Sequence, residues 1–447
     1  MIAFSVRRDL RGGVRVERSD AEDTVCGCAM TWDDYVCLGV LVLWLLAALQ
    51  GAGAFLRGLR FHRRVHEALV RAGDQQDERG RFRFQPKAAV IMPCCGVDEK
   101  LEQTVLALGR QRYERYEVIF ALESAQDPAY TAIGGWTENQ TSPPSRRVVA
   151  GLAERRSQKI HNLTAAIAEV PEDCEVLVFA DSDAVPGEDW LGHLIAPLQD
   201  ESVGATTGYR WYTAAGGLAA GIRSVWNAAT VTTLDDERLN FCWGGATAIS
   251  RRTFERIGVP RLWENSVSDD LSLTVALRRA GLRIRFVPQA MVSSSDATTL
   301  RAFWAFARRQ LVITRVYMPG IWVAGFTLCL NLIIGAAAAA ALFFASALGW
   351  LGSARVMVAA LAGWITILAL VAGRSVLPQL AVRKVLSSRG WSWRDFWWDI
   401  GGISFAGPLH LMLMLSSLTS RRFVWRNTMY ELVSPDETRI LGRVTPV

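Results

Sequence analysis

Several kinds of pattern are missing from this chain. Its eight cysteines include no pair of CxxC motifs, which excludes a zinc module of that spacing. Cys26 and Cys28 stand one residue apart, and Cys94 and Cys95 are adjacent. Adjacent cysteines rarely pair with each other, so most of the thiols read as reduced and buried, in keeping with a cytosolic catalytic region. No arm rich in Lys and Arg alternates with aromatics, which argues against nucleic acid as a partner. There is no internal repeat. Residues 1–33 are polar and mixed in charge, and they lack the early apolar core of a cleavable leader.

What is present is apolar and blocky. The chain has 447 residues, is 51% hydrophobic and carries a formal net charge of +6, mostly as arginine. Its mean hydropathy is +0.17. In a chain with apolar blocks, such a charge favours a membrane surface or anionic small molecules. The block VCLGVLVLWLLAALQGAGAF (about 35–56) has no charge. It runs for about 20 residues, long enough to cross a bilayer core. RGLRFHRR (57–64) follows, a basic cluster of the kind that marks the cytoplasmic side. Two more blocks, 321–350 and 356–373, read as spans. A fourth, 403–418, contains Pro408 and His410 and is short enough to be interfacial or re-entrant. The side of the 421–447 tail stays open at this point.

Between the blocks, residues 65 to about 300 have globular composition. AAVIMPCCGVDE (88–99) reads as a strand, a Pro and a loop, before a helix from 101. YEVIFALES (116–124) and CEVLVFADSDA (174–184) read as further strands, and LRIRFVPQAMV (282–292) as another. Apolar strands alternating with helices argue for a parallel sheet covered on both faces. Ligands then bind beyond the carboxyl ends of the strands. Asp98, Glu123, Asp181 and Asp183 all fall there. Each alone is explicable as a helix cap, whereas four at one sheet edge suggest a site.

Asp181-Ser182-Asp183 forms a DxD at the end of a buried strand. Two hard oxygen donors suit Mg²⁺ or Mn²⁺, which fill their shell with water and substrate phosphates. Asp269-Asp270 is a second acidic pair, preceding an amphipathic helix that Ser268 or Asp269 could cap. The glycines of WGGA (243–246) allow close backbone approach to a ligand.

In order, PCCGVDEKLEQTVLAL, YEVIFALESAQDPAY, RSQKIHNLTAAI, FADSDAVPGEDWL, GGATAISRRTFERIG and SDDLSLTVALRRAGLRI resemble a family 2 glycosyltransferase of GT-A fold, of the ceramide glucosyltransferase-like branch. The stretch WRNTMYEL (425–432) also resembles membrane members of that family. The resemblance implies a Rossmann-like mixed sheet in a cytoplasmic domain, mounted on transmembrane helices. It implies Asp98 near the nucleotide, Glu123 near the nucleobase, Lys159 and Asn162 near the donor, and Asp181 with Asp183 at the metal. It further implies Asp270 as the base, with Asp269 replacing the usual Glu before it. The family's QxxRW is altered here. If Gln310 is the Gln, Ile313 and Thr314 stand where Arg and Trp belong. Arg308, Arg309 and Arg315 remain available to a diphosphate, and Trp304 to the acceptor, without individual assignment. The same helix (301–319) also reads as a basic amphipathic helix on anionic lipid. The segments expected are a polar 1–33, a span at 34–56, a catalytic domain at 57–300, transmembrane and interfacial helices at 320–420 and a soluble tail at 421–447. The expected activity is inverting, metal-dependent transfer of a hexose from a nucleotide-sugar, a UDP-hexose by preference, to a lipid hydroxyl. The alternatives are a processive polysaccharide synthase, transfer to polyprenyl phosphate, and a non-catalytic membrane scaffold.

Overall fold

The computed structural model describes residues 4–8, 14–18, 32–138, 143–234, 236–350, 354–388 and 390–444. Cys26 and Cys28 lie outside the described residues, as does most of the expected polar segment 1–33. The strands, in chain order, are β1 (Phe4–Arg8), β2 (Val14–Arg18), β3 (Ala88–Pro93), β4 (Tyr116–Leu122), β5 (Ser145–Val149), β6 (Val176–Ala180), β7 (Val203–Thr207), β8 (Arg210–Tyr212), β9 (Ala246–Ser250), β10 (Arg283–Phe286), β11 (Val292–Ser294), β12 (Arg422–Trp425), β13 (Thr428–Ser434) and β14 (Glu437–Arg443).

The central sheet has seven strands in the order β10-β7-β9-β6-β3-β4-β5. Strands β3 to β6 run parallel, and so do β7 and β10. The strand pattern alone points to a parallel sheet, whereas the mixed sheet that the resemblance implies is the one found. Strand β9 runs antiparallel to both β6 and β7. Ala246 therefore pairs with Ala180, and the glycines before β9 arrive at the carboxyl end of β6. The sheet is the mixed, Rossmann-like α/β kind.

Alternate side chains enter two cores, as the period of a strand requires. Val90, Met92, Val118, Phe120 and Val178 pack on one face with Leu101, Leu108 and Trp190. Ile91, Ile119, Leu177, Phe179 and Ile249 pack on the other with Ile160, Leu163 and Trp263. Phe179 sits between Phe254 and Trp263, with centroids at 6.2 and 5.6 Å. Truncating such a residue to Ala costs about 3–5 kcal/mol, so the strand that carries the DxD is held firmly.

Three helices are long and apolar enough to cross a membrane: Asp34–Gln75, Pro319–Ala347 and Val356–Leu386. They pack through small residues, as membrane helices do. A Cβ on Gly335 would meet Ala47 at 2.7 Å, and one on Gly363 would meet the Trp44 indole at 2.6 Å. The helix Trp32–Arg71 continues well past the apolar block that ends near residue 56. Phe61 and Val65, four residues apart, dock it on Trp211, Met291 and Leu386. The spans and the catalytic domain are thus joined by a shared core.

The helix Trp393–Thr419 is bent by 71° between its two halves. Near its start, Asp395 accepts a hydrogen bond from Ala214 N at 2.5 Å. At its end, Arg308 donates to the carbonyls of Ser416, Ser420 and Arg422 at 3.0–3.2 Å. One end therefore packs on the catalytic domain and the other on the helix Leu300–Tyr317 that follows that domain. The tail packs on the catalytic domain too. Its strands β12-β13-β14 form a small antiparallel sheet. Phe423, Tyr430 and Leu432 share a core with Val267, Val312 and Tyr317.

Candidate active site

The site is built at the carboxyl edge of the sheet. Gly96, at φ 68°, turns the chain out of β3, and its N–H donates to both oxygens of Asp127 at 3.0 Å. Asp98 follows, half-buried, with one oxygen accepting from Lys100 N at 3.2 Å and the other 3.6 Å from Arg426. Glu123 follows β4, and both of its oxygens accept from Arg443, at 2.6 and 2.8 Å. Asp181 and Asp183 follow β6.

Lys159 lies at the centre. It occupies the first turn of the helix Gln158–Ala168, which Ser157 caps by accepting from Ile160 N. A cation there opposes the helix dipole, and two carboxylates compensate. Lys159 Nζ lies 3.0 Å from Asp181 Oδ1 and 3.0 Å from Asp269 Oδ2. Burial works against the Lys159 charge, but Asp181, Asp269 and Asp270 together raise its pKa above the usual value. Asp269 is only 4% exposed. Burial pushes its pKa up to about 6, against the pull of Lys159 and with added repulsion from Asp270 and Asp181.

The glycines of WGGA have a sharper role than expected. A Cβ on Gly244 would stand 2.2 Å from Asp269 Oδ2 and 2.8 Å from Lys159 Nζ. One on Gly245 would stand 2.5 Å from Asp181 Oδ2. The close approach that these glycines permit is to the protein's own charge cluster.

Asp183 is paired as well. Arg210 reaches its carboxylate at 2.5 Å and its carbonyl at 2.7 Å. Although burial raises it, Arg210 and then Arg426 hold Asp183 below the usual carboxylate range. Arg210 also lies 5.4 Å from the Tyr212 ring and 5.9 Å from that of Trp243. Asp270 stands beside Asp269 but faces differently. Its Oδ1 accepts from Leu271 N at 2.8 Å and from the Ser268 hydroxyl. It is more exposed than Asp269.

The remaining expected residues divide. Arg309 belongs to the site region. Its guanidinium lies 5.1 Å over Trp425 and 5.6 Å from Phe306, with no carboxylate paired to it among the described residues. Burial lowers its pKa to about 10. Asn162 is 2% exposed and spends its amide on Ala121 O and Gln158, which makes it a strut beneath the site. Arg308 is committed to three tail carbonyls. Arg315 lines a separate cavity with Arg421, Arg422 and Arg439. Trp304 packs in an apolar cluster with Trp322 and Leu413. Gln310 lies one turn before Thr314, whose hydroxyl donates to its carbonyl. Arg210, Arg426 and Arg443 were not anticipated, and no short motif flags them.

Asp181 and Asp183 fit a Mg²⁺ or Mn²⁺ by donor type. Among the described residues no three His, Cys, Asp or Glu side chains gather to hold a metal alone. Two carboxylates suffice when phosphate oxygens and water complete the shell.

A mixed sheet with this acidic, arginine-lined edge, joined to helices apolar enough to cross a membrane, is the arrangement of a glycosyltransferase. The chain belongs to glycosyl transferase family 21, whose family model matches residues 44–438. The resemblance drawn from the motifs named family 2; the activity class is the same. Among solved structures, mannosyltransferase PcManGT from Pyrobaculum calidifontis, in complex with GDP-Man and Mn²⁺, is similar over 83% of this chain and 99% of its own. The identity is 19% and the TM-score 0.48. Glucosyl-3-phosphoglycerate synthase from Mycobacterium tuberculosis, in complex with Mn²⁺, UDP and glucosyl-3-phosphoglycerate, is similar over 52% of this chain and 79% of its own. There the identity is 16% and the TM-score 0.36.

Proposed function

We propose that the chain is an inverting, metal-dependent glycosyltransferase of the ceramide glucosyltransferase-like kind. It moves a hexose from a UDP-sugar to the hydroxyl of a membrane lipid, with its catalytic domain in the cytoplasm. The observation that carries the donor reading is Arg309, a half-buried guanidinium without a carboxylate partner among the described residues, in the region of the acidic sheet edge. A partly desolvated cation with no carboxylate beside it favours an anion, and a diphosphate supplies one.

Asp181 and Asp183 would hold the metal, which when bound neutralises the departing nucleoside diphosphate. Lys159 sets the position of Asp181 and keeps Asp269 charged. Asp270, half-buried at a helix start, has an oxygen left to take the proton of the acceptor hydroxyl. Asp269, closed in by Lys159 and Gly244, serves as its support.

The lipid acceptor is supported by an apolar cavity of about 850 Å³ between the helices Leu218–Val231 and Trp393–Thr419. Leu218, Ile222, Trp397 and Phe405 line it. An apolar hollow beside membrane helices suits an alkyl chain. The deciding experiment is incubation of the full chain in membranes with labelled nucleotide-sugars, followed by mass spectrometry of the lipids. A lipid bearing one hexose is expected. Long polymer, or acid-labile sugar phosphate, would replace the lipid-hydroxyl reading. Asp270→Asn should abolish transfer while UDP binding persists; normal turnover in that variant would falsify the base assignment.

A further inference from the structure

The C-terminal sheet carries two arginines to the acidic edge. Arg443, in β14, grips Glu123 with two short contacts and also reaches Gln158 at 3.3 Å. Arg426, between β12 and β13, approaches Asp98 with a single looser contact of 3.6 Å. We propose that Arg426 is a donor-binding residue whose guanidinium leaves Asp98 and takes the diphosphate of the nucleotide-sugar. The proposal rests on the nucleotide-sugar reading above.

Backbone geometry is the first reason. Trp425 pairs with Thr428, so Arg426 and Asn427 form a two-residue hairpin loop. Such loops favour glycine wherever φ is positive. Arg426 has φ 51° and is the only non-glycine residue with positive φ among the described residues. An arginine held where glycine would relieve the strain points to a side chain with a task.

Charge is the second reason. The guanidinium is half-exposed, free to turn toward a ligand, and its field reaches beyond Asp98. It also opposes the charge of Arg309, which lies over the ring of the preceding residue, Trp425. Two arginines side by side, one loosely paired and one without a carboxylate among the described residues, form a receptor for a polyvalent anion.

The third reason is that the loop is fixed in place. Tyr430 is buried and its hydroxyl accepts from Gln158 N at 3.1 Å. Leu271 and Val275, on the helix that begins with Asp269 and Asp270, pack against the same core as β12 and β13. The loop is thereby tied to the helix that bears the base. Changing its side chain leaves these anchors intact.

The test uses the full-length chain in phosphatidylcholine nanodiscs. UDP binding with Mn²⁺ is measured by titration calorimetry, and uridine binding by competition. Arg426→Gly should unfold at an equal or higher temperature than the wild type, because the left-handed position relaxes. It should bind UDP at least tenfold more weakly, with uridine unchanged, and Arg426→Lys should recover part of the loss. Equal UDP affinity in Arg426→Gly and the wild type overturns the proposal. So does an equal loss for uridine and UDP, since that marks a purely structural role. If the wild type binds neither UDP nor GDP, the nucleotide-sugar reading itself fails, and this proposal with it.

Discussion

Replacing Lys159 with methionine tests how the centre of the site is held together. The substitution keeps much of the side-chain volume and removes the charge. It leaves Asp181 and Asp269 without their shared partner, which now sits 3.0 Å from each. The side chains of Lys159, Asp181 and Asp269 are 15%, 22% and 5% exposed, so water screens the pair weakly. Removing one partner of a buried ion pair costs about 3–5 kcal/mol. For a domain of this size that is on the order of 10 °C in melting temperature. The loss should depend on pH. Asp269 has its pKa raised from 3.8 to about 6 in the folded chain, and losing Lys159 raises it further. An acid whose folded pKa is raised loses stability as pH rises from its unfolded pKa through its folded one. The variant should therefore fall furthest behind the wild type above pH 7 and recover toward pH 5, where Asp269 is neutral. Thermal unfolding in detergent at pH 5, 6, 7 and 8 measures this. A deficit that is absent, or equal at every pH, refutes the idea that Lys159 holds two buried carboxylates.

Three further outcomes follow from the same geometry. Gly244→Ala places a methyl only 2.2 Å from Asp269 Oδ2. Overpacking costs about 1–3 kcal/mol, and transfer should drop together with the melting temperature; an active, equally stable variant would disprove the close approach. Arg308→Ala frees three carbonyls that hold the start of the tail, so limited proteolysis should cut near residues 420–427 faster than in the wild type. Arg309→Ala should leave that cleavage rate unchanged and weaken UDP binding instead.

Much of the site was legible because each strand ends in the same way. A buried run followed by a loop places Asp98, Glu123 and Asp181 at one edge whatever the strand order, and the order was not needed. Strand β9 was not legible as antiparallel, since ATAIS has no feature that sets direction. Its partners are fixed only when the sheet assembles. The pairings were hidden for a similar reason. Lys159 and Asp269 meet across 110 positions of sequence, and Arg426 and Arg443 arrive from a tail that composition marks only as soluble. The length of the first helix was missed because its composition changes at residue 57 while its helical period does not. Phe61 and Val65 keep the spacing that buries them.

The acidic pair shows what structure adds to a motif. In SVSDDLS the two aspartates are equivalent as letters, and resemblance alone chooses between them. A helix turns about 100° per residue, so neighbours at its start cannot share a direction. Ser268 caps the helix and fixes the phase. That phase sends Asp269 inward to Lys159 and leaves Asp270 on the more open side. A general base must reach a hydroxyl that comes and goes. A carboxylate enclosed by a lysine and a glycine backbone is badly placed for that, even with its pKa lifted toward neutrality. Asp269→Asn should therefore lower the melting temperature, because Lys159 loses a partner, whereas Asp270→Asn should leave it nearly unchanged and abolish transfer. The reverse pattern would make Asp269 the base.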